Sequence, residues 1–568
     1  MKKVFGFGLT LLLMTSVVFG EQPKYVDSPP LTKVVTNPVG DVRSGGALQV
    51  PIITWGGDIA TIYANGNAVA TAKGGVFANQ GLNFKLVLED DFAKQVAAFR
   101  GGQSPYLRGT MGMINMATEV LSQDPRTQPV IVYQLTWSTG GDCLVVKDGI
   151  KTVADLKGKT IALQAYGPHV DWMTTELADA GLSPTDVKIK WVQNLTVTPK
   201  DAVNNPANAL RSDPGVDAVF VISPDAFALT SNGTVGTGAE DSVKGARILM
   251  STKTADKVIA DVYAVRADFL SRYRSEVEKF AKGLMAAEEQ LRNLVASKDA
   301  KKAEYQTTFS AAAKVLMDSP NVADAEGLYG DCRYVGHTGN VKFFATPSEP
   351  RNLENITNET QEAFLVLGLL SKKVAVTHAN WDYAVLAAGL ANVNVASTPR
   401  FDTSKVATAI DRREKQGLSQ EGELFSFYVY FEPNQNSFPA EKYSDKFAQV
   451  VDLASTHGGA VITVEGHSDP LGFLKSQKSG SSDIVLGRIR QSAKNLSVTR
   501  ANALRDGILA YAQAKSIALD QSQFVVIGHG IEKPKHANPR TELEWKGNMR
   551  VEFRIIQVEA EADVFRPL

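Results

Sequence analysis

The sequence predicts an α/β protein built as two unequal units, and three observations carry that prediction. Between residues 49 and 392 short apolar runs alternate with amphipathic stretches, the pattern of strands and helices packed in layers. Residues 393–423 are rich in Ser, Thr, Lys, Arg and Glu and poor in aromatics, which predicts a partly helical linker. From residue 424 to residue 558 a second, smaller α/β unit opens on an apolar run at 425–431.

Length and charge narrow the classes of function. A chain of 568 residues has room for two to four domains. Its 60 Lys and Arg against 61 Asp and Glu provide no basic field to hold nucleic acid through counterion release. Two cysteines, Cys143 and Cys332, exclude a disulfide scaffold and a Cys-rich metal site. They could bridge in an oxidising compartment or lie buried as small side chains. At the N-terminus, Met1-Lys2-Lys3, an apolar run at 4–19 and the small residues before Glu21 read as a signal peptide over residues 1–20. That predicts export to a periplasm, with no spanning segment left after cleavage. Residues 21–48, with Pro23, Pro29, Pro30 and Pro38, read as a leader without its own core, and 559–568 as a tail.

Within 49–392 the clearest strands are Ile52-Ile53-Thr54-Trp55 and the runs 84–88, 130–133, 160–163 and 218–222. The clearest long helix covers 276–295, with Phe280, Leu284, Leu291 and Leu294 near one face. The segment Gly149-Ile150-Lys151-Thr152-Val153-Ala154-Asp155-Leu156-Lys157-Gly158-Lys159-Thr160-Ile161-Ala162 resembles a signature of periplasmic solute-binding proteins of the nitrate/sulfonate/taurine type. Gln80-Gly81-Leu82-Asn83-Phe84 and Gly215-Val216-Asp217-Ala218-Val219 continue the resemblance. It implies a clamshell of two α/β lobes that closes on a solute, serving an ABC-type permease in the inner membrane.

In such a fold ligands meet the carboxyl ends of strands and the starts of the following helices. Those positions nominate Trp55, Gly57, Asp58 and Met113 on one side, and Tyr166, Gly167, His169 and Ser223 on the other. Asp58 could face a cationic group, whereas a helix start favours an anion, so the solute's charge stays open. No HExxH, GxSxG, P-loop or paired Cys/His spacing occurs, so no catalytic residue, metal or cofactor is expected. An enzyme of the same fold is the outside alternative.

The second unit resembles the OmpA-like C-terminal domain at five landmarks in order. These are Tyr428-Val429-Tyr430-Phe431-Glu432-Pro433-Asn434, Val464-Glu465-Gly466-His467-Ser468-Asp469, Leu496-Ser497-Val498-Thr499-Arg500-Ala501, Gly528-His529-Gly530 and Asn548-Met549-Arg550-Val551-Glu552-Phe553. The resemblance implies non-covalent binding to peptidoglycan through the free end of diaminopimelate. Asp469 would take the ammonium and Arg500 the carboxylate, with Ser468 and Ser497 beside them and Ser497 as the helix N-cap. A loop–helix salt bridge between Asp469 and Arg500 is the plainer alternative. Two departures stand out: 30 residues separate Asp469 from Arg500, with a polar surface excursion predicted at 475–482, and Met549 replaces an arginine.

Together the resemblances imply a periplasmic solute-binding protein held at the cell wall. The alternative is a structural or sensory protein of the cell envelope or outer membrane whose clamshell does not serve transport.

Overall fold

A computed structural model of the chain describes residues 21–42, 45–198, 200–391, 393, 400–415, 423–432, 435 and 438–557. The predicted signal peptide and tail lie outside them. Four strands open the first lobe: β1 (Leu48–Ile52), β2 (Phe84–Leu88), β3 (Tyr106–Thr110) and the long β4 (Pro129–Ser138). The chain then crosses to a second lobe made of β5 (Asp142–Val146), β6 (Thr160–Gln164), β7 (Lys188–Val192), β8 (Ala218–Ile222) and β9 (Arg247–Ser251). It returns as β10 (Ala260–Arg266), which pairs antiparallel with both β3 and β4. Two short strands, β11 (Cys332–Tyr334) and β12 (Thr377–His378), also pair with β4. The second-lobe sheet has the order β7-β6-β8-β5-β9. Two sheets joined by two crossings, at 139–141 and 252–259, are the geometry of a hinge.

Most sequence-predicted elements appear where expected, and one strand is displaced. The 84–88 and 218–222 strands match their predicted bounds, and the Ala267–Ala296 helix contains the predicted 276–295 stretch with Phe280, Leu284, Leu291 and Leu294 buried. The strand predicted at 52–55 ends at Ile52 instead. Beyond it, the Thr54 N–H and hydroxyl turn to the Asp90 carboxylate (2.7 and 2.8 Å), which breaks the ladder. The first-lobe core centres on Phe77, Phe84, Tyr106 and Phe280, whose ring centroids lie 4.6–5.9 Å apart.

The leader's apolar residues join the core of the lobes. Leu31 and Val35 are 1% and 3% exposed, and Asn37 and Arg100 bind the backbone on either side of the contact. Earlier in the leader, the Tyr25 hydroxyl donates to Asp213 (2.6 Å) and Val26 bridges to Trp191. Tyr25 and Trp191 belong with the second lobe, Val35 and Arg100 with the first. The leader is a strap across both.

The C-terminal unit is a four-stranded sheet of order β13-β16-β14-β15, from β13 (Glu423–Tyr430), β14 (Val461–His467), β15 (Phe524–Gly530) and β16 (Arg550–Ile556). Only β14 and β15 run parallel; β16 is antiparallel to both its neighbours. The Ala440–Thr456 and Asp483–Ala514 helices pack on the sheet, with Phe447, Ala501, Leu504 and Ile508 buried between. The described part of the linker is largely a helix. Its Thr403–Lys415 helix lays Val406, Ala409 and Ile410 against Val461 and Val525.

Candidate functional site

The eight nominated clamshell residues lie after strands or at helix starts, and the structure gives several of them partners inside the protein. Trp55 follows β1 and donates its indole N–H to Thr136 (3.2 Å). Its ring packs so closely on Gly141 that a Cβ there would sit 2.5 Å from it. Gly57 opens the Asp58–Ala64 helix against Thr136. Ser223, after β8, reaches Asp331 at 3.4 Å. Met113 is buried on the first turn of the Met111–Leu121 helix, whose start is capped by Thr110.

Asp58 requires a correction. It faces no free cation, because its fully buried carboxylate pairs with Arg108 at 2.9 Å and accepts from the Tyr263 hydroxyl at 3.1 Å. Arg108 in turn holds Asp261 at 2.8 Å. Burial pushes the Asp58 carboxyl up to about 6 even with that guanidinium beside it.

On the second lobe Tyr166 and Gly167 make the turn before the His169–Asp179 helix. Tyr166 holds a left-handed backbone, φ 59°, which a residue with a Cβ adopts at a cost. Its hydroxyl donates to Pro29 O at 2.6 Å and so ties the leader down. His169 turns inward: its Nε2 meets Asp142 at 2.7 Å, and Asp142 also accepts from Ser138 at 2.6 Å. Ser138 and Asp142 flank the first crossing and Thr252 opens the second, so His169 braces the hinge.

The lobes touch. A Cβ on Gly112 would lie 2.2 Å from the Asp171 carboxyl carbon, so a bare glycine on one lobe seats an acid of the other. Asp171 is buried and pushed up to about 7 by that burial. The segment 328–334 fills the neighbouring space, with Leu328 O against Gly56 and the Tyr334 hydroxyl donating to Gly56 O at 2.5 Å. Surface cavities of about 280 and 420 Å³ lie elsewhere, around Glu119 and Lys373 and around Phe343 and Gln361. Sequence reasoning missed Asp171 and Asp331; the signal for Asp171 was its place two residues into a nominated helix start. Cys143 and Cys332 are buried and no disulfide joins them.

In the C-terminal unit, Asp469 follows β14 and accepts from Leu471 N–H and Asn548 Nδ2, both at 2.9 Å. Arg500 is 3% exposed, lies 4.3 Å over the Phe431 ring and donates from Nε to Gln435 O. Burial lowers its pKa from the usual value. Phe431 N–H bonds Met549 O, next to Asn548, so Asp469 and Arg500 stand at one end of the sheet. Among the described residues no ion pair joins them. Asn548 was in the quoted motif, but its link to Asp469 needs the fold.

Ser497 also requires a correction. It is no N-cap, because the helix begins at Asp483 and Ser497 lies fully buried about four turns into it. The polar insertion is therefore helical: Leu471–Lys478 forms one helix and residues 483–496 lengthen the next. The Ser497 hydroxyl accepts from Gly530 N–H (3.0 Å), and Ser468 N–H donates to Gly530 O (2.7 Å). Gly466 and Gly528, partners across β14 and β15, make room for this helix; a Cβ on Gly466 would stand 2.1 Å from Ser497 O.

Residues 63–292 match a family model described as NMT1/THI5 like, a stretch shorter than half of the chain. Among solved structures, the periplasmic aliphatic sulphonate binding protein SsuA from Escherichia coli is 17% identical, with 58% of this chain and 96% of that chain covered and a TM-score of 0.40. The alkanesulfonate-binding protein SsuA from Xanthomonas axonopodis pv. citri, bound to MOPS, is 17% identical over 59% and 98% of the two chains, at a TM-score of 0.39. The periplasmic nitrate-binding protein NrtA from Synechocystis PCC 6803 is 12% identical over 62% and 100%, at 0.36. No curated protein matches the chain.

Proposed function

We propose that this protein is a periplasmic solute receptor for an ABC-type permease, held non-covalently to peptidoglycan by its C-terminal unit. The single observation that carries the first half is the pair of α/β lobes joined by two crossings, with helix starts of both lobes meeting at the junction. A solute that contacts both lobes stabilises the closed arrangement through contacts the open one lacks. Trp55, Ser223, Tyr166 and Gly167 are the proposed contacts, from an aromatic face and the second-lobe helix starts. A small anion suits those helix starts.

The second half rests on Asp469 and Arg500, unpaired with each other at one sheet end. They suit the ammonium and carboxylate of a zwitterionic peptide end. Ser468 frames the turn and Ser497 supports it from the helix.

One observation favours the alternative of a structural or sensory envelope protein: segment 328–334 and the leader strap occupy the junction where a solute would enter. A thermal-shift screen of the mature protein against sulfonates, nitrate, phosphate and amino acids separates the readings, run beside a peptidoglycan pull-down. A solute raising the melting temperature, with wall retention lost in Asp469→Ala and Arg500→Ala, is the expected result. Wall retention without any solute response favours the alternative, and no retention overturns the anchor.

A further inference from the structure

The two units meet at an arrangement of donor groups that neither contains alone. Glu176 and Asp179 stand at i and i+3 on the last turns of the His169–Asp179 helix, which places both carboxylates on one face. His457 closes the Ala440–Thr456 helix of the C-terminal unit, and its ring enters between them. Its Nε2 lies 3.0 Å from Asp179 Oδ2 and 3.8 Å from Glu176 Oε2. The three donor atoms all fall within 4.8 Å of one another. Glu176 and His457 are each 0% exposed.

The acids here are poorly neutralised. Glu176 Oε1 accepts from the Trp172 indole at 2.8 Å, yet its buried Oε2 has no hydrogen-bond partner. Arg351, whose charge is felt at Glu176, makes its own bonds to Glu359 (2.7 Å) and to Lys257 O (3.1 Å). Asp452 at the exposed rim adds to the negative field around Asp179. A buried carboxylate oxygen without a donor is costly, and a cation is the simplest group that removes the cost.

We propose that Glu176, Asp179 and His457 bind one divalent transition-metal ion of the zinc type, which fastens the C-terminal unit to the second lobe. Imidazole nitrogen with carboxylate oxygen is the donor set of such ions. Ligands about 2.0–2.1 Å from a tetrahedral ion stand about 3.3 Å apart, and the two measured separations from Nε2 bracket that value. Water completes the coordination. Metal ligation needs a neutral imidazole and ionised carboxylates, so binding is expected to strengthen as pH rises.

The site adjoins the hinge. Beside His457, Lys257 N–H donates to Thr456 O and Gly459 N–H to Thr254 O, and both partners belong to the 252–259 crossing. Metal binding would therefore stiffen the seat of the C-terminal unit on that crossing. A second convergence, Glu465, His467 and His529, already has Arg554 at 3.0 Å from Glu465, so it is not assigned an ion. It supplies the control. This inference rests on neither solute nor wall binding.

The test uses the mature full-length protein stripped with a chelator and titrated with zinc chloride by calorimetry. One equivalent is expected to bind, with a raised melting temperature and, for cobalt(II), a visible ligand-field absorption. His457→Ala and Glu176→Gln should abolish all three signals, and His529→Ala should keep them. Asp179→Asn, whose side chain is 14% exposed, should fold normally and weaken binding at least tenfold. No binding to the unaltered protein overturns the proposal. So does binding that persists in folded Glu176→Gln and Asp179→Asn.

Discussion

At Arg108 one guanidinium holds two carboxylates, Asp58 and Asp261, with no side chain of the three more than 3% exposed. Removing the arginine leaves two acids buried without a counter-charge, which in such settings costs about 3–5 kcal/mol. Arg108→Ala should show that loss by urea unfolding of the first lobe. Glu288 makes the opposite kind of prediction. It accepts from the Tyr133 hydroxyl and Gly336 N–H, and burial pushes its carboxyl from 4.5 up to about 8. Because the folded state binds this proton more tightly, the stabilisation is complete below about pH 4.5 and is lost as pH rises through about 8. Glu288→Gln should flatten that slope, read as melting temperature from pH 5 to 9. Asp58 and Glu288 show what pattern reading misses: the sequence gives an acid's position near a helix start or on a helix, but not the distant partner that uses it.

Among the elements, the Asp483–Ala514 helix owes its seat to two glycines on neighbouring strands. Gly466→Ala drives a methyl into the Ser497 carbonyl, and overpacking of this kind typically costs about 1–3 kcal/mol. Chemical unfolding of the C-terminal unit should register it, with no change at the first lobe. The leader strap gives the second elemental prediction. Tyr25, Val26 and Pro29 fasten to the second lobe, Leu31 and Val35 to the first. Removing residues 21–35 should raise amide exchange in the Met111–Leu121 helix by roughly tenfold or more, since each 1.4 kcal/mol of lost protection is a factor of ten. Unchanged exchange would show that the strap does not hold the lobes. Proline-rich spacing in the leader reports the absence of regular structure, not the absence of contacts.

Over the whole molecule, the C-terminal unit is docked rather than tethered. Asp256, on the hinge crossing, binds Arg333 at 3.1 Å and Arg400 of the linker at 2.6 Å, and Arg400 also donates to Gly458 O. Asp256→Ala should free the docked unit and enlarge the radius of gyration by small-angle scattering, while each unit keeps its own helix content. Docking at the crossing makes any wall anchorage mechanically continuous with the hinge. Among the described residues no helix is long and apolar enough to cross a membrane.

The sequence by itself determined the α/β class and most strand positions, because those follow from local periodicity and turn chemistry. Only the tertiary structure decided that Asp58 is spent on Arg108, that Ser497 lies inside a helix, that the leader spans two lobes and that His457 meets Glu176 and Asp179. Each of these depends on residues tens to hundreds of positions apart, or on how far a helix extends into a polar insertion. Spacing along the chain carries no measure of such distances, and burial and charge pairing settle them only once the chain has closed on itself.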